Sequence, residues 1–368
     1  MRSLPLLALG AVLLSTACND DKPAPAPKAE AKKPEAKKAE APKGPDAAAL
    51  LARAKPLFAP LPDFMVRAGE ERPSDAMINL GRALYFDKRL SKNHDIACNS
   101  CHNLQTFGVD NEATSPGHKG ARGDRNSPTS LNAALHVAQF WDGRAKDVEE
   151  QAGGPVLAGV EMAMPDEAAV LTVLNSIPGY GEMFEQAFAG DSTPITYANM
   201  TTAIGAFERG LVTPAPFDAF LKGDAKAMSP AQLDGLQTFL DTGCMACHAG
   251  PAVGGQGYFK LGQVAPYETE DEGRKKVTGN DADLHVFKAP SLRNITKTGP
   301  YFHDGSVKTV EEAVKLMGKH QLGKDLSDAD VKKIVAFFTA LEGKLDADYA
   351  KAPTLPESGP KTPAPDPS

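Results

Sequence analysis

The stretches Cys98-Asn99-Ser100-Cys101-His102 and Cys244-Met245-Ala246-Cys247-His248 repeat one five-residue pattern and contain four of the five cysteines in this 368-residue chain. The pattern, Cys-x-x-Cys-His, is the attachment sequence of a c-type haem. Its spacing allows two thiols to add to the two vinyl groups of one porphyrin, and the histidine then becomes an axial ligand of the iron. The sequence therefore predicts two covalent haems and a redox protein.

Paired cysteines have two other common interpretations. A Cys-x-x-Cys pair can hold a structural zinc ion, and a single pair can act as a thioredoxin-like redox centre. Zinc rarely requires a histidine directly after the second cysteine, because adjacent side chains do not easily share one tetrahedron. The complete pattern occurs twice and leaves no cysteine over in the body of the chain, which favours haem.

The N-terminus predicts export. Residues 1–18 combine a basic residue, an apolar run that is too short to span a bilayer, and small residues before Cys18. The run Leu14-Ser15-Thr16-Ala17-Cys18 resembles a bacterial lipobox, in which Cys18 would carry lipid; ordinary cleavage near Ala17 is the alternative. Either outcome places the protein outside the cytoplasm, where covalent haem attachment occurs.

The composition separates a folded body from two polar ends. Residues 19–47 are almost wholly Ala, Pro, Lys, Glu and Asp, which predicts a disordered tether, and a Pro-rich segment, 351–368, predicts a disordered tail. The net charge is −7, with no basic patch that would favour nucleic acid.

The folded body is predicted to be mainly α, with two cytochrome c-like haem domains and irregular loops. Ser74, Ser229 and Ser327 each stand where a side chain can cap a helix, ahead of apolar residues at helical spacing. Strand-like alternation is scarce. We expect an N-terminal haem domain at 48–212 and a C-terminal haem domain at 213–350, separated near Pro214 and Pro216.

The sixth ligand decides what each haem can do, since an iron with both axial sites filled mainly carries electrons. Met317 is the only methionine after Cys247, and its thioether would favour reduced iron at the second haem. Met317 could instead be a core residue, and the competing ligands are His285, His303 and His320.

The first motif is followed by a loop rich in Gly, Asn, Asp and Ser that contains His118. A histidine in such a loop could bind iron in one state and leave it in another, although a lone loop histidine is more often solvated. Farther along come Trp141, the only tryptophan, then Gln151 and Glu161. A glutamate beside an open iron could move a proton between the oxygens of peroxide, whereas without that context Glu161 would be a surface residue.

From about residue 70 to 345 the chain resembles the bacterial di-haem cytochrome c peroxidases. The matching runs are 98–107, Gly117-His118, 125–129, 139–147 with Gln139-Phe140-Trp141-Asp142-Gly143-Arg144, Val160-Glu161-Met162, 243–248, Pro290-Ser291-Leu292-Arg293-Asn294, 300–305 and Met317-Gly318.

The resemblance implies a division of labour between the haems. The N-terminal haem, on His102, would be the peroxidatic centre, with His118 as its removable distal ligand. The C-terminal haem, on His248 and Met317, would be the high-potential centre that receives electrons. Trp141 would lie between the haems. Gln151 and Glu161 would line the peroxide pocket.

The resemblance also implies a calcium ion at the domain interface. Its protein ligands would be the Asn126 side chain and the backbone carbonyls of Thr298 and Pro300, a hard oxygen shell that water completes. His303 would stand next to this shell.

The function implied is reduction of hydrogen peroxide to water with electrons from a small periplasmic donor, either a cytochrome c or a cupredoxin. The protein would be a homodimer in the periplasm, with a possible lipid anchor at Cys18. The alternatives are a di-haem electron carrier without catalysis and an oxidising maturation enzyme that acts on a partner protein. In the related maturation enzymes of methylamine dehydrogenase the ligand corresponding to Met317 resembles a tyrosine.

Overall fold

The computed structural model describes residues 44–67 and 69–368. The predicted signal segment 1–18, the proposed lipid site Cys18 and residues 19–43 of the predicted tether lie outside the described residues. Among the residues that are described, no helix combines the length and the apolarity needed to cross a bilayer.

The architecture is helical, as predicted. The α-helices are α1 Ala47–Ala54, α2 Asp75–Phe86, α3 Cys98–Cys101, α4 Val148–Leu157, α5 Glu167–Asn175, α6 Pro178–Ala187, α7 Tyr197–Glu208, α8 Pro216–Leu221, α9 Pro230–Thr242, α10 Lys275–Thr278, α11 Val310–Leu322, α12 Asp328–Thr339 and α13 Ala347–Ala350. Short 3₁₀ turns cover Lys88–Leu90, Leu104–Thr106, His118–Gly120, Ala133–Leu135, Cys244–Ala246, Asp281–Asp283 and Ile295–Lys297. Strands β1 Tyr258–Lys260 and β2 Val286–Lys288 pair antiparallel, with Tyr258 opposite Lys288.

The three predicted helix starts are confirmed. The hydroxyl of Ser74 accepts a hydrogen bond from the amide of Met77 at the start of α2. Ser229 and Ser327 accept in the same way at the starts of α9 and α12. Each serine satisfies an amide that the first turn of a helix leaves without an intrahelical partner.

Two large apolar cores and a small third cluster, formed by Leu61, Met65 and Val212, hold the described residues together. In the first, α2 packs against α6 and α7, with Leu84, Tyr180 and Phe207 fully buried. In the second, α9 packs against α12 through Leu236 and Phe337, which are also fully buried. Each haem motif therefore follows a helix that belongs to its own core.

Short segments at the two ends of the described chain each pack on the core that the other half mainly forms, so the packing does not follow the predicted boundaries. Helix α1 begins at Ala47 and buries Leu50 and Ala54 in the second core, although 48–212 was expected to form the first domain. Conversely, Leu345 and Tyr349 pack against the first core, although they fall within 213–350. The apolar residues of these short segments are complementary to helices far away in sequence, which a boundary drawn from composition cannot detect.

The segment 351–368, which the composition predicts to be a disordered tail, lies against the first core in the structure. Leu355 packs against the first core, and the Thr362 hydroxyl accepts a hydrogen bond from Ser176 at 2.9 Å. The amide of Asp366 donates to the carbonyl of Lys92 at 2.9 Å. The Pro-rich composition therefore produces an extended strap on the surface of the first core, because proline suits extended backbone.

Candidate active site and haem centres

The first haem motif is held by local hydrogen bonds. The Ser100 hydroxyl accepts from the amide of Ala97, and the Asn99 side chain accepts from the amide of Leu104. The buried Tyr85 of α2 donates to the carbonyl of His102 at 2.7 Å. These contacts fix the backbone of α3 and of the histidine that follows it against the first core.

The His102 imidazole fits the role of an iron ligand. Burial lowers its pKa, so that the ring is neutral near pH 7 and one nitrogen can bind a metal. Its Nδ1 is buried and has no hydrogen-bond partner among the described residues. A buried ring with an unused nitrogen is suited to a group that the polypeptide itself does not supply.

His118 lies in the 3₁₀ turn His118–Gly120 and is 8% exposed, so it is not the solvated loop residue that composition alone would favour. Its Nδ1 has no partner among the described residues, and its Nε2 lies 3.2 Å from the backbone oxygen of Ser368 in the strap. Its amide donates to the carbonyl of Glu161 at 2.7 Å. The structure thus brings the predicted removable ligand and the predicted acid/base residue together through their backbones.

Glu161 stands in a partly desolvated position. Burial raises the pKa of its carboxyl group, and the nearby positive charge of Arg144 opposes that rise only in part. Gln151 lies half-buried on α4, and its side chain forms no hydrogen bond with any residue that the structure describes. The hydrogen bonds therefore link Glu161, but not Gln151, to the His118 turn.

The second motif begins where α9 ends. Gly243 closes the helix with φ +99°, a left-handed conformation that glycine adopts without steric cost, and Cys244 follows directly. The Nδ1 of His248 lies 3.2 Å from the carbonyl of Pro290, which orients the ring. Burial lowers the pKa of His248 to about 4, so its other nitrogen is available to bind iron.

A large, mostly apolar cavity surrounds the second motif. His248, Cys244 and Cys247 line it on one side, and Met317 of α11 lines the same cavity together with Val310 and Val314. Of the three competing histidines, His303 also lines the cavity, but its Nε2 lies 3.0 Å from the Thr269 hydroxyl. His320 uses Nδ1 on the carbonyl of Ala265 at 2.9 Å. Met317 is thus the candidate ligand that shares a cavity with His248 and makes no competing hydrogen bond.

Asn126 is the centre of the contact between the two halves. Its amide donates to the carbonyl of His303 at 2.7 Å, and its carbonyl accepts from Trp141 Nε1 at 2.9 Å. Its side-chain nitrogen donates to the carbonyls of Glu112 and Ala113. The backbone and side chain of Asn126 therefore join the His118 loop, Trp141 and the second half.

The predicted calcium residues lie around one space. Asn126, Thr298 and Pro300 all line the cavity that surrounds the second motif. Because the Asn126 side-chain nitrogen points at two carbonyls, its Oδ1 is the atom left for a cation. The described residues contain no cluster of three or more His, Cys, Asp or Glu side chains suited to a metal. One amide oxygen and two backbone carbonyls fit a hard cation that keeps several waters.

An ion-pair network at the same interface was not foreseen from the sequence. Arg125 donates two hydrogen bonds to Asp271, at 2.6 and 2.8 Å, and one to Asp142 at 2.5 Å. Burial alone would raise the pKa of Asp271, but the Arg125 guanidinium holds it well below its usual value. Arg125 and Asp271 are 146 residues apart, so no local pattern signals the pair.

The structure has two helical cores, and in each of them a helix is followed by a Cys-x-x-Cys-His motif. This arrangement defines a di-haem c-type protein. The family profile "Di-haem cytochrome c peroxidase" matches residues 75–226, and the profile "Cytochrome c" matches residues 232–342. Cytochrome c551 peroxidase of Pseudomonas aeruginosa is 43% identical over 99% of both chains. That of Nitrosomonas europaea is 48% identical over 86% of this chain and 93% of its own.

More distant relatives have the same fold. The methylamine utilization protein MauG of Methylophilus methylotrophus is 34% identical over 76% of this chain and 85% of its own. A solved MauG-like protein associated with microbial copper homeostasis superposes with a TM-score of 0.67 at 26% identity, covering 83% of this chain and 97% of that one.

The chain belongs to the bacterial di-haem cytochrome c peroxidase family. It is an oxidoreductase that reduces hydrogen peroxide with electrons from a cytochrome donor, and it carries two haem c groups. The fold and the reaction predicted from the sequence are confirmed.

Proposed function

We propose that the two haem centres divide the reaction between them, with peroxide reduced at the His102 haem and electrons received at the His248 haem. The bound haems supply iron that binds peroxide and stores electrons. The observation that carries the proposal is the hydrogen bond from the His118 amide to the Glu161 carbonyl, 2.7 Å long, because it couples a removable side chain to an acid/base group.

In this proposal Glu161 moves the proton. Its partly buried carboxyl group has a raised pKa, which suits a group that must both accept and release a proton near neutral pH. The carboxylate would take a proton from one oxygen of hydrogen peroxide and return it to the other. Gln151 would orient the peroxide by hydrogen bonding. Trp141, whose indole is fixed by Asn126, would stand between the two centres.

His118 would control access to the first centre. In the resting oxidised protein its side chain would occupy the distal side of the His102 haem and exclude peroxide. An electron at the second haem would favour the released conformation, a two-state change biased by redox state. Support comes from the backbone link between His118 and Glu161, and from Asn126, which joins the same loop to the second half.

The second centre would have His248 and Met317 as ligands, and calcium would bind Asn126, Thr298 and Pro300. A thioether ligand favours ferrous iron and suits a centre that accepts electrons from a mild donor. The shared cavity of His248 and Met317 supports methionine ligation. Tyr301 lines the same cavity, but its hydroxyl donates to the carbonyl of Ile295 at 3.0 Å, which favours Met317 over a MauG-like tyrosine ligand. The donor would be a small cytochrome c or cupredoxin. The enzyme would act in the periplasm as a homodimer, with Cys18 as a possible lipid anchor.

The experiment that tests the division of labour is peroxide turnover with a reduced cytochrome c, assayed before and after one-electron reduction. The parent should turn over rapidly only after reduction. His118→Gly should react with peroxide while fully oxidised, because its first iron would be open. A variant with both haems that still requires reduction would contradict the role of His118. A pure electron carrier would show no peroxide turnover in either state.

A further inference from the structure

Lys288 is a buried lysine without an acidic partner. It ends β2 and is 6% exposed, and it forms no ion pair with any carboxylate of the described chain. Its Nζ lies 3.1 Å from Nδ1 of His136. Burial of an ammonium group that lacks a counter-charge is costly, so such groups are usually paired with an anion. Since no carboxylate of the described residues pairs with Lys288, a bound ligand would have to supply the counter-charge.

The His136 ring presents a second donor at the same place. Burial, together with the adjacent Lys288, lowers the pKa of His136 well below its usual value, so the ring is neutral. Because Nδ1 accepts from the Lys288 ammonium, the ring proton resides on Nε2. That Nε2 is buried and has no partner among the described residues. The pair thus offers an N–H and an ammonium group, and no acceptor, to a neighbouring ligand.

The ring of His136 has a fixed position. A Cβ atom built on Gly255 would lie 2.2 Å from Cδ2 of His136, so the imidazole packs directly on the backbone of that glycine. The amide of Val137 donates to the Gly255 carbonyl at 2.8 Å, and the amide of Lys288 donates to the Trp141 carbonyl at 2.8 Å. Both donors are therefore built into the structure and do not lie on a mobile surface.

Both side chains line the cavity that contains His248, Cys244 and Cys247. A porphyrin attached through its vinyl groups carries two propionate carboxylates on the opposite edge of the ring. We propose that Lys288 and His136 bind a propionate of the second haem, Lys288 through its ammonium and His136 through Nε2. His136 precedes Trp141 in the first half and Lys288 lies in the second, so the propionate site is complete only when the halves are assembled.

A cation held near the haem stabilises the reduced state, because reduction adds an electron to the iron. Removing the charge of Lys288 should therefore lower the reduction potential of the second haem. Lys288→Met keeps the apolar stem and removes the charge, whereas Lys288→Arg keeps the charge. Lys308→Met is the matched control, because Lys308 is an exposed lysine of the same half of the chain.

The potential is measured by spectroelectrochemical titration of the holoenzyme, after pyridine haemochrome analysis shows two haems per chain. At the parent's midpoint, Lys288→Met should lower the ferrous-to-ferric ratio about tenfold, which is about 59 mV for one electron. Lys288→Arg and Lys308→Met should stay within about twofold, or about 18 mV. A Lys288→Met protein with two haems and an unchanged potential would overturn the proposal.

A second measurement keeps the test decisive if Lys288→Met does not fold. Redox-difference infrared spectra of protein with ¹³C-labelled haem propionates should show a carboxylate band that moves in Lys288→Arg and in His136→Gln but not in Lys308→Arg. A carboxylate band at the same position in the parent and in all three variants would overturn the proposal. The inference rests on haem attachment at Cys244 and Cys247, and its readouts are independent of peroxide turnover. Failure of the proposed catalytic roles would therefore be seen separately.

Discussion

The amide nitrogen of His118 donates a hydrogen bond of 2.7 Å to the carbonyl oxygen of Glu161. The contact is possible because the preceding residue is glycine. A Cβ atom on Gly117 would lie 1.9 Å from the carbonyl oxygen of Val160 and 2.7 Å from Cα of Glu161. The histidine loop and the glutamate segment therefore touch backbone to backbone, and neither can move without affecting the other.

Gly117→Ala should release the histidine loop. The added methyl group cannot fit against Val160, so the His118 amide should lose its hydrogen bond to Glu161. The His118 ring should then no longer be held in its position. We expect the fully oxidised variant to react with peroxide at least tenfold faster than the oxidised parent, as followed by stopped-flow absorbance. Gly159→Ala is the control, because a Cβ there meets nothing within 4 Å. A folded Gly117→Ala protein that still needs prior reduction would show that this contact does not hold the loop closed.

Glu161→Gln should lower peroxide turnover roughly 10²-fold, because the amide keeps the size of the side chain but cannot exchange a proton. Haem content and reduction of the second haem should stay normal. The carboxyl group must be ionised to accept a proton, so the parent's rate should rise with pH through the pKa of Glu161. Because burial raises the pKa of Glu161, the rate should rise at a pH above 4.5, the ordinary pKa of a glutamate. The rate of the variant should not show this pH dependence. An unchanged rate and an unchanged pH profile would mean that Glu161 does not take part in the reaction.

Met317→His should lower the potential of the second haem. Replacement of a thioether by an imidazole removes the preference for ferrous iron, so the ferrous-to-ferric ratio at the parent's midpoint should fall at least tenfold, or about 59 mV. The absorbance of the second haem during a redox titration reports the change. Val314→Ala, which alters the same cavity wall without touching a ligand, is the control. If Met317→His titrates like the parent, another residue ligates the iron.

Arg293→Met should destabilise the fold strongly. Arg293 donates to both carboxylate oxygens of Asp218, at 2.7 and 2.8 Å, and the two side chains are 0% and 4% exposed. Loss of the guanidinium leaves a buried carboxylate, which costs about 3–5 kcal/mol.

The matched control for that change is Arg53→Met. Arg53 and Asp241 form an exposed pair, with side chains 46% and 53% accessible, and such pairs contribute about 1 kcal/mol or less. The free energy of unfolding of the haem-loaded protein in urea compares the two variants. Equal decreases in the free energy of unfolding would mean that the Arg293–Asp218 pair is not a buried structural pair in solution.

The sequence predicts those features that depend on local spacing. The two haem motifs and the caps at Ser74, Ser229 and Ser327 involve residues within a few positions of one another, so their chemistry is visible in the chain itself. Apolar spacing also indicates which helices have a buried face.

Contacts between distant segments could not be predicted in the same way. His136 and Lys288 are 152 residues apart, and neither lies in a recognisable motif. The packing of the strap at 351–368 could not be predicted, because a proline-rich composition favours an extended backbone equally well whether the segment is free or packed. Helix α1 packs on the second core through only a few apolar residues, too few to indicate on which core it lies.

Removal of calcium should slow activation without releasing haem. In the proposed site, Asn126 Oδ1 from the first half and the carbonyls of Thr298 and Pro300 from the second bind one ion, and Asn126 also joins the loop to Trp141 and His303. Loss of the ion should weaken this connection, so that reduction of the second haem opens the first centre more slowly. The haems are covalent and should remain.

Chelated protein, shown by elemental analysis to be metal-free, should regain its activation rate with Ca²⁺ but much less with Mg²⁺, which requires a tighter octahedral shell. Asn126→Ala should be slow with or without Ca²⁺. Full activation of the metal-free parent would mean that no ion couples the two halves.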